Sequence, residues 1–258
     1  MTDMAPCPRC GGTSGGIGKS GLCPACLLGL AIGADDESGR EELAETEGPV
    51  YRVLTILATE PGRTTYLAEQ DVTRRLVTLD VVRVASAPPA AGPDGGEDRV
   101  RALRRWAHPG VPRVVEGRRT AAGEICVVSH YVAASPLDRC CEAGRIDGAS
   151  RARLFARVCE IVSDGHRHGV CHGRLRPDLV VGCGTGGRLT PSVLGYSVCA
   201  GPTPTVADDV AGLERVARAM GWRGPAGQAW RSVEELLAAT TEGWTARPAG
   251  APREETSG

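Results

Sequence analysis

The chain has 258 residues and a formal net charge of −1. It is long enough to bury one sizeable hydrophobic core, and it has no global attraction for nucleic acid or for an anionic membrane. No apolar run approaches the roughly 20 residues that a membrane-spanning helix needs, and residues 1–20 lack the basic start and apolar centre of a signal peptide. We therefore expect a cytoplasmic protein, in which the 11 cysteines favour metal ligands or free thiols over disulfides.

Four of these cysteines form two pairs near the start of the chain. The pairs are Cys7 with Cys10 and Cys23 with Cys26, in a Cys-x-x-Cys pattern that occurs twice. Two such turns can aim four thiolates at one point, which is the tetrahedral arrangement of a structural Zn²⁺. Four sulfur ligands leave no open coordination position for catalysis. The spacing predicts a zinc ribbon over residues 1–30; the alternative is four unliganded cysteines in a flexible tail.

The remaining elements follow in a simple order. Residues 31–50 are acidic, show no core pattern and are predicted to be a linker. Residues 51–83 predict three strands, since segments rich in β-branched and apolar residues alternate with turn residues. Helical spacing of apolar residues appears over 97–106 and most strongly over 150–168. The tail at 245–258 is rich in Pro, Gly and Glu and is predicted to be disordered.

The stretch from His166 to Leu179, HRHGVCHGRLRPDL, connects the strongest predicted helix to a short apolar strand. It resembles the catalytic loop of bacterial, eukaryotic-like Ser/Thr protein kinases, where His-x-x-Gly-Val-x-His continues into Arg-Asp-Leu-Lys-Pro-x-Asn. In that register His172, Leu175 and Pro177 match the family pattern. The resemblance implies that these residues pack or position the loop.

The positions that carry chemistry differ from the family. Arg174 occupies the position of the Asp that accepts the substrate proton, and Leu179 that of the Asn that binds the second Mg²⁺. Arg176 replaces the Lys of the same loop. Farther along the chain, Gly195 and Tyr196 take the places of Asp and Phe in Asp-Phe-Gly. The aromatic ring is therefore kept, but the Mg²⁺ carboxylate is missing.

The predicted strands resemble the amino-terminal lobe of the same family, again without its working residues. Ala58, Glu60 and Arg63 fall where the three glycines of the phosphate-covering loop would be. Asp80 stands in for the phosphate-pairing Lys of the third strand, and Arg99 for the Glu of the following helix. From this exchange we hypothesise a charge-reversed Asp80–Arg99 pair that docks the helix without nucleotide. The alternative is two unrelated surface charges.

The resemblance covers about residues 51–240. Asp209 lies in a helical pattern that resembles the family's helix F, whose Asp braces the catalytic loop. The implied fold over residues 51–244 is α+β and protein kinase-like, with a β-rich amino-terminal lobe and a shortened, mostly helical carboxy-terminal lobe. Because phosphoryl transfer depends on the missing groups, the resemblance implies a pseudokinase: a regulatory or scaffolding protein with structural zinc, no Mg²⁺–ATP, and a protein partner such as an active kinase or its substrate.

Two other functions stay open. An atypical, active Ser/Thr protein kinase that binds ATP would need relocated acids such as Asp164 or Asp208. A zinc-ribbon adaptor that contacts nucleic acid would need a cationic surface, and the ribbon has only Arg9 and Lys19, too few for a phosphate footprint. The histidines and cysteine between residues 166 and 172 are metal-ligand types, but the kinase resemblance already accounts for two of them, so we predict no metal there.

Overall fold

The structure, a computed structural model, describes residues 51–83, 95–120, 123–185, 188–199, 202–225 and 228–245. The four cysteines of the predicted zinc ribbon, the acidic linker and the end of the tail lie outside these residues. The described residues form two compact units. The first contains residues up to 105, residues 113–131 and residues 197–202; the second contains residues 106–112, 132–196 and those from 203 onward.

The first unit is a five-stranded antiparallel sheet with one helix. The strand order is β1-β2-β3-β5-β4, and the three strands expected over residues 51–83 are confirmed. The elements are β1 (Tyr51–Glu60), β2 (Arg63–Gln70), β3 (Leu76–Val82), α1 (Gly95–Arg105), β4 (Val114–Arg119) and β5 (Ile125–His130).

The register between β2 and β3 decides which side chains meet in this unit. Thr65 lies opposite Asp80, and Arg63 lies opposite Val82. Because side chains alternate between the two faces of a strand, Arg63, Thr65 and Asp80 share one face. On the opposite face, Leu79 belongs to the buried apolar cluster of the sheet. The same strands thus supply both a core face and a polar face.

Helix α1 approaches β4 closely. A Cβ on Gly117 would lie 2.4 Å from Cγ1 of Val100, so only glycine allows this approach. The helix has Glu97 and Asp98 in its first turn, which complements the positive end of its dipole. A narrow seam therefore joins α1 to the edge strand of the sheet.

The second unit is mostly helical, with a small antiparallel sheet in the order β6-β7-β8. The elements are β6 (Ser135–Pro136), α2 (Leu137–Ala143), α3 (Gly148–Arg167), a 3₁₀ turn (Pro177–Leu179), β7 (Val180–Thr185), β8 (Arg188–Val193), α4 (Val206–Ala219) and α5 (Val233–Thr245). Helix α3 begins at Asp147, whose side chain accepts the backbone N–H of Ser150, a standard N-cap contact.

Helices α3 and α5 pack together at the centre of the second unit. The rings of Phe155 and Trp244 meet edge to face with centroids 5.5 Å apart, and Phe155 is fully buried. Helix α4 contributes Leu213 and Val216 to the buried residues, and its Thr205–Asp208 capping box fixes where it begins. Among the described helices, none is both long enough and apolar enough to cross a bilayer.

Candidate functional site

One buried carboxylate of α4 holds the loop from His172 to Leu179. Asp209 accepts the backbone N–H of His172 at 2.7 Å and that of Gly173 at 2.6 Å. The Nε2 atom of His166, at the end of α3, lies 2.8 Å from the same carboxylate. Because Asp209 is completely buried, these contacts join α3, α4 and the loop with no competition from water.

The ionisation of Asp209 follows from these contacts. Burial disfavours its charged form, but the hydrogen bonds from the His166 side chain and from the backbone N–H groups of Gly173 and His172 outweigh that penalty. Together they hold the pKa of Asp209 below its ordinary value. The carboxylate is therefore charged at neutral pH, and the brace contains a charge-assisted hydrogen bond to each loop N–H.

His172 is fixed on both of its ring nitrogens. Its Nδ1 accepts the backbone N–H of Arg174 at 3.2 Å, so Nε2 carries the hydrogen and donates to the carbonyl of Leu194 at 2.7 Å. The ring packs edge-on against Tyr196, with centroids 4.6 Å apart, and Tyr196 packs in the same way against Trp106 at 4.7 Å. These residues form an aromatic stack inside the second unit.

Leu175 is the point at which α4 touches the loop. Its side chain is completely buried. A Cβ on Gly212 would lie 2.6 Å from the Leu175 Cβ and 2.9 Å from its carbonyl oxygen. A side chain at residue 212 would push the loop away from the helix. The positions that match the kinase pattern in this loop thus support packing and positioning.

The positions that differ from the kinase pattern also come together in the second unit. A Cβ on Gly195 would lie 3.4 Å from Cδ1 of Leu179 and 3.7 Å from a guanidinium nitrogen of Arg174. The cluster consists of hydrocarbon, a glycine backbone and one positive charge. Mg²⁺ prefers oxygen ligands, chiefly carboxylates and water, and the side chains of these three residues supply none.

The neighbouring acid, Asp178, does not replace the missing groups. Its carboxylate accepts two N–H groups of Arg176, at 2.8 and 3.1 Å, and is more than half exposed. Pro177 opens the 3₁₀ turn that separates Arg176 from Leu179. Asp178 and Arg176 thus form a local surface pair, of a kind that contributes little to stability.

The relocated acids that an active enzyme would need have structural contacts instead. Asp164 accepts the indole N–H of Trp106 at 2.7 Å and a guanidinium N–H of Arg167 at 2.9 Å. The hydrogen bond from Trp106 is the main reason why the pKa of Asp164 is lowered. Asp208 belongs to the capping box at the start of α4. Neither contact is a proton-transfer arrangement.

In the first unit, Asp80 pairs with Arg63 and not with Arg99. The Arg63 guanidinium donates from Nε at 3.3 Å and from Nη2 at 3.0 Å, and the Thr65 hydroxyl donates at 2.5 Å. Both charged side chains are more than nine-tenths buried. The hypothesis of an Asp80–Arg99 pair is wrong, because strand register places Arg63 on the same face as Asp80 while Arg99 donates to the carbonyl of Ser197 at 2.7 Å.

A possible metal-ligand group occurs where the loop is braced. One atom each of His166, Cys171 and Asp209 lie within 4.8 Å of one another. However, the Asp209 oxygens already accept two backbone N–H groups and face the His166 ring. An ion there would displace the hydrogen bonds that fix the loop, so the geometry supports a hydrogen-bonded brace.

Comparison with known proteins supports the fold at low sequence similarity. No family model matches the chain, and no curated protein matches it. Among solved structures, the kinase domain of PknI from Mycobacterium tuberculosis is similar, with 15% identity over 78% of this chain and 99% of that chain and a TM-score of 0.50. A variant of that domain matches with 16% identity over 74% of this chain and 82% of its own, at a TM-score of 0.48. At such identity the likeness shows the fold alone: this chain has an α+β, protein kinase-like fold.

Proposed function

We propose that this chain is a catalytically inactive, kinase-like protein with a regulatory or scaffolding role. The observation that carries the proposal is that the atoms nearest to a Cβ built on Gly195 belong to Leu179, at 3.4 Å, and to the guanidinium of Arg174, at 3.7 Å. Phosphoryl transfer depends on Mg²⁺ ligands and on a residue that orients the nucleophile, since the protein's part is positioning and charge neutralisation. A guanidinium beside hydrocarbon provides neither.

The buried pair in the first unit supports the same proposal. Kinases use a lysine on the third strand to hold the phosphates, and here that position is Asp80. Its carboxylate is already satisfied by Arg63 and Thr65. A free phosphate would meet either a negative charge or a cation whose hydrogen bonds are in use. The proposed role of the pair is therefore to stabilise the sheet and not to bind a nucleotide.

The residues that match the kinase pattern keep the contacts that position the loop, whereas the positions expected to bind Mg²⁺ or to accept the proton have other residues. Asp209, His172 and Leu175 still hold the loop in one conformation. A rigid loop without chemistry suits a protein that acts through its surface. The partner class that we propose is a protein, such as an active kinase or the substrate of one.

A structural zinc ion is part of the proposal, and it is carried by the spacing of Cys7, Cys10, Cys23 and Cys26. We expect elemental analysis of the purified full chain to give one zinc per chain. We expect a Cys7→Ser and Cys23→Ser double variant to lose it. A metal-free wild-type chain would remove the zinc from the proposal and leave the kinase-like part untouched.

Thermal unfolding in the presence of ATP, together with a phosphate-transfer assay, tests the proposed inactivity. The full chain is heated with ATP, with and without Mg²⁺, beside an active bacterial kinase as a positive control. A ligand present at about 100 times its Kd stabilises a protein by about 2.7 kcal/mol, so real binding is easily seen. We expect no Mg²⁺-dependent shift here and no transfer of labelled phosphate to the chain or to a generic protein substrate.

Two results would overturn the proposal. Mg²⁺-dependent stabilisation together with phosphate transfer would make the chain an atypical kinase, and Asp164→Asn and Asp208→Asn variants would then test the relocated acids. DNA binding that weakens steeply with salt, and that is lost when zinc is removed, would favour the nucleic-acid adaptor.

A further inference from the structure

A groove between α1 and β4 in the first unit concentrates positive charge. It has a volume of about 640 Å³ and is lined by six arginines and one carboxylate, that of Glu97. The whole chain has a net charge of −1, so this surface departs strongly from the average. The groove lies entirely within the first unit, and none of the groups in the loop cluster described above lines it.

The arginines form two rows that face each other. Arg101, Arg104 and Arg105 lie on α1 at spacings that place them along one side of the helix. Arg113 precedes β4, and Arg119 ends it. Arginines in the last turn of a helix are favourable because of its dipole, but that does not explain the second row. Like charges that face each other across a concave surface repel, and a bound anion relieves the repulsion.

Counter-ions among the residues that the structure describes neutralise only part of this charge. Arg101 pairs with Asp98, and Arg119 pairs with Glu97 at 3.3 Å. The side chains of Arg104, Arg105 and Arg113 form no hydrogen bond or ion pair with any residue that the structure describes.

The floor of the groove is apolar. Val100, Val114 and Ile125 line it, and all three are buried. Arginine forks match the oxygens of a phosphate in a bidentate manner. Because the three apolar residues are buried, the arginines supply most of the surface that a ligand can contact. The volume is typical of a pocket for a small ligand or a few residues of peptide.

We propose that this groove binds a phosphorylated segment of a partner protein, with the phosphate held by Arg104, Arg105 and Arg113. A nucleic acid fits less well, because the arginines cluster in one pocket and do not follow an extended stripe. The inference does not depend on the proposed inactivity, since it uses no residue of the loop cluster or of the Arg63–Asp80 pair.

Fluorescence anisotropy of the full chain tests the proposal. The probe is a labelled peptide pool with a fixed phosphoserine flanked by random residues, and the same pool with serine is the control. We expect the phosphorylated pool to bind about tenfold more tightly, since a charge-assisted contact is commonly worth that much. We expect an Arg104→Gln and Arg105→Gln double variant to lose most of that difference.

A matched variant separates the groove from general charge. Arg75 and Arg157 are exposed arginines outside the groove, and an Arg75→Gln and Arg157→Gln double variant removes the same charge. We expect it to bind the phosphorylated pool within about twofold of wild type. Arg113→Gln gives a second groove variant if the first loses its cooperative thermal unfolding.

Three outcomes would overturn the proposal. The first is equal binding of the two peptide pools. The second is equal loss in the groove variant and in the matched variant, which would mean general attraction. The third is a short single-stranded DNA that binds more tightly than the phosphorylated pool through the same arginines, which would make the groove a nucleic-acid site.

Discussion

Arg63 and Asp80 form a buried, bidentate ion pair on adjacent strands of the first unit, with Nη2 and Oδ2 3.0 Å apart. In the kinase pattern, the first position belongs to the glycine-rich loop and the second to the phosphate-anchoring lysine. A pair at these positions is internally neutral and fully hydrogen-bonded with Thr65. The sheet therefore satisfies both charges with its own side chains.

Removing one member of this pair is expected to lower the free energy of unfolding. Asp80→Asn leaves the Arg63 charge buried without a counter-ion, and breaking a buried pair in this way typically costs about 3 to 5 kcal/mol. Arg63→Met should cost a similar amount, because it leaves the carboxylate of Asp80 unpaired. Denaturant unfolding of the two single variants measures both free energies.

The combined variant Arg63→Met, Thr65→Val and Asp80→Leu is the control for that prediction. Replacement of a whole buried pair by apolar residues is often neutral or stabilising, so we expect this variant to be at least as stable as wild type. Equal loss in the single and combined variants would mean that the side chains matter for their shape and not for their charges.

The ion pair also shows what the sequence could and could not predict. The three strands were predictable from their apolar, β-branched composition. The partner of Asp80 was missed because the chain was compared with a family pattern, in which the third strand pairs with a helix. Counting back from the turn that follows Gln70 would have placed Thr65 opposite Asp80 and Arg63 on the same face. The register of β2 and β3 is therefore the information that would have identified Arg63 as the partner of Asp80.

In the second unit, too, some contacts could be expected from the sequence and others could not. The resemblance of its helix to helix F led us to expect that Asp209 braces the loop, and Asp209 accepts the backbone N–H groups of His172 and Gly173. Sequence could not predict that Arg174 and Leu179 would close around Gly195, because that depends on side-chain packing between segments that are distant in the chain. The arginine groove was missed as well, since α1 and β4 each have ordinary surface arginines until they are placed side by side.

Asp209 should make stability depend on pH in the acid range. Its pKa in the folded chain is below the ordinary value, which is about 3.9 for aspartate. Its contribution is therefore fully present above that value and is lost as pH falls through the lower, folded pKa. Asp209→Asn should cost about 2 to 3 kcal/mol at neutral pH, and the gap between variant and wild type should narrow below about pH 4.

Urea unfolding of both chains across this pH range measures the effect. Asp98→Asn is the control, because Asp98 is exposed and its pair with Arg101 is of a type worth at most about 1 kcal/mol. A gap for Asp209→Asn that stays constant down to strongly acid pH would show that the carboxylate charge does not hold the loop.

Gly212 tests how closely α4 approaches the loop. On helix propensity alone, Gly212→Ala would stabilise the chain by about 1 kcal/mol. The added Cβ would, however, lie 2.6 Å from the Cβ of Leu175, and forced overpacking typically costs about 1 to 3 kcal/mol. We therefore expect net destabilisation in thermal unfolding, together with faster proteolysis within the loop.

Ala211→Gly measures the contribution that helix propensity alone makes to stability in that experiment. Residue 211 is exposed on the same helix, so its substitution should cost only about 1 kcal/mol and leave the proteolysis pattern unchanged. If Gly212→Ala stabilised the chain, the close contact between α4 and Leu175 would be excluded.

Restoring one carboxylate should not restore Mg²⁺ binding. In Gly195→Asp the new side chain starts 3.7 Å from a guanidinium nitrogen of Arg174 and 3.4 Å from Leu179. An ion pair with Arg174 is then the nearest way to satisfy the carboxylate, and Leu179 offers Mg²⁺ no oxygen. Gly195 has a φ of +81°, which aspartate tolerates better than most residues. We therefore expect Gly195→Asp to fold and to show no Mg²⁺-dependent thermal shift in millimolar ATP. Only the triple variant Gly195→Asp, Arg174→Asp and Leu179→Asn assembles three oxygen-bearing groups at this point. If the single variant responded to Mg²⁺ and ATP as strongly as the triple variant, the chain would lack one ligand and not the whole arrangement, and the proposed inactivity would rest on Gly195 alone.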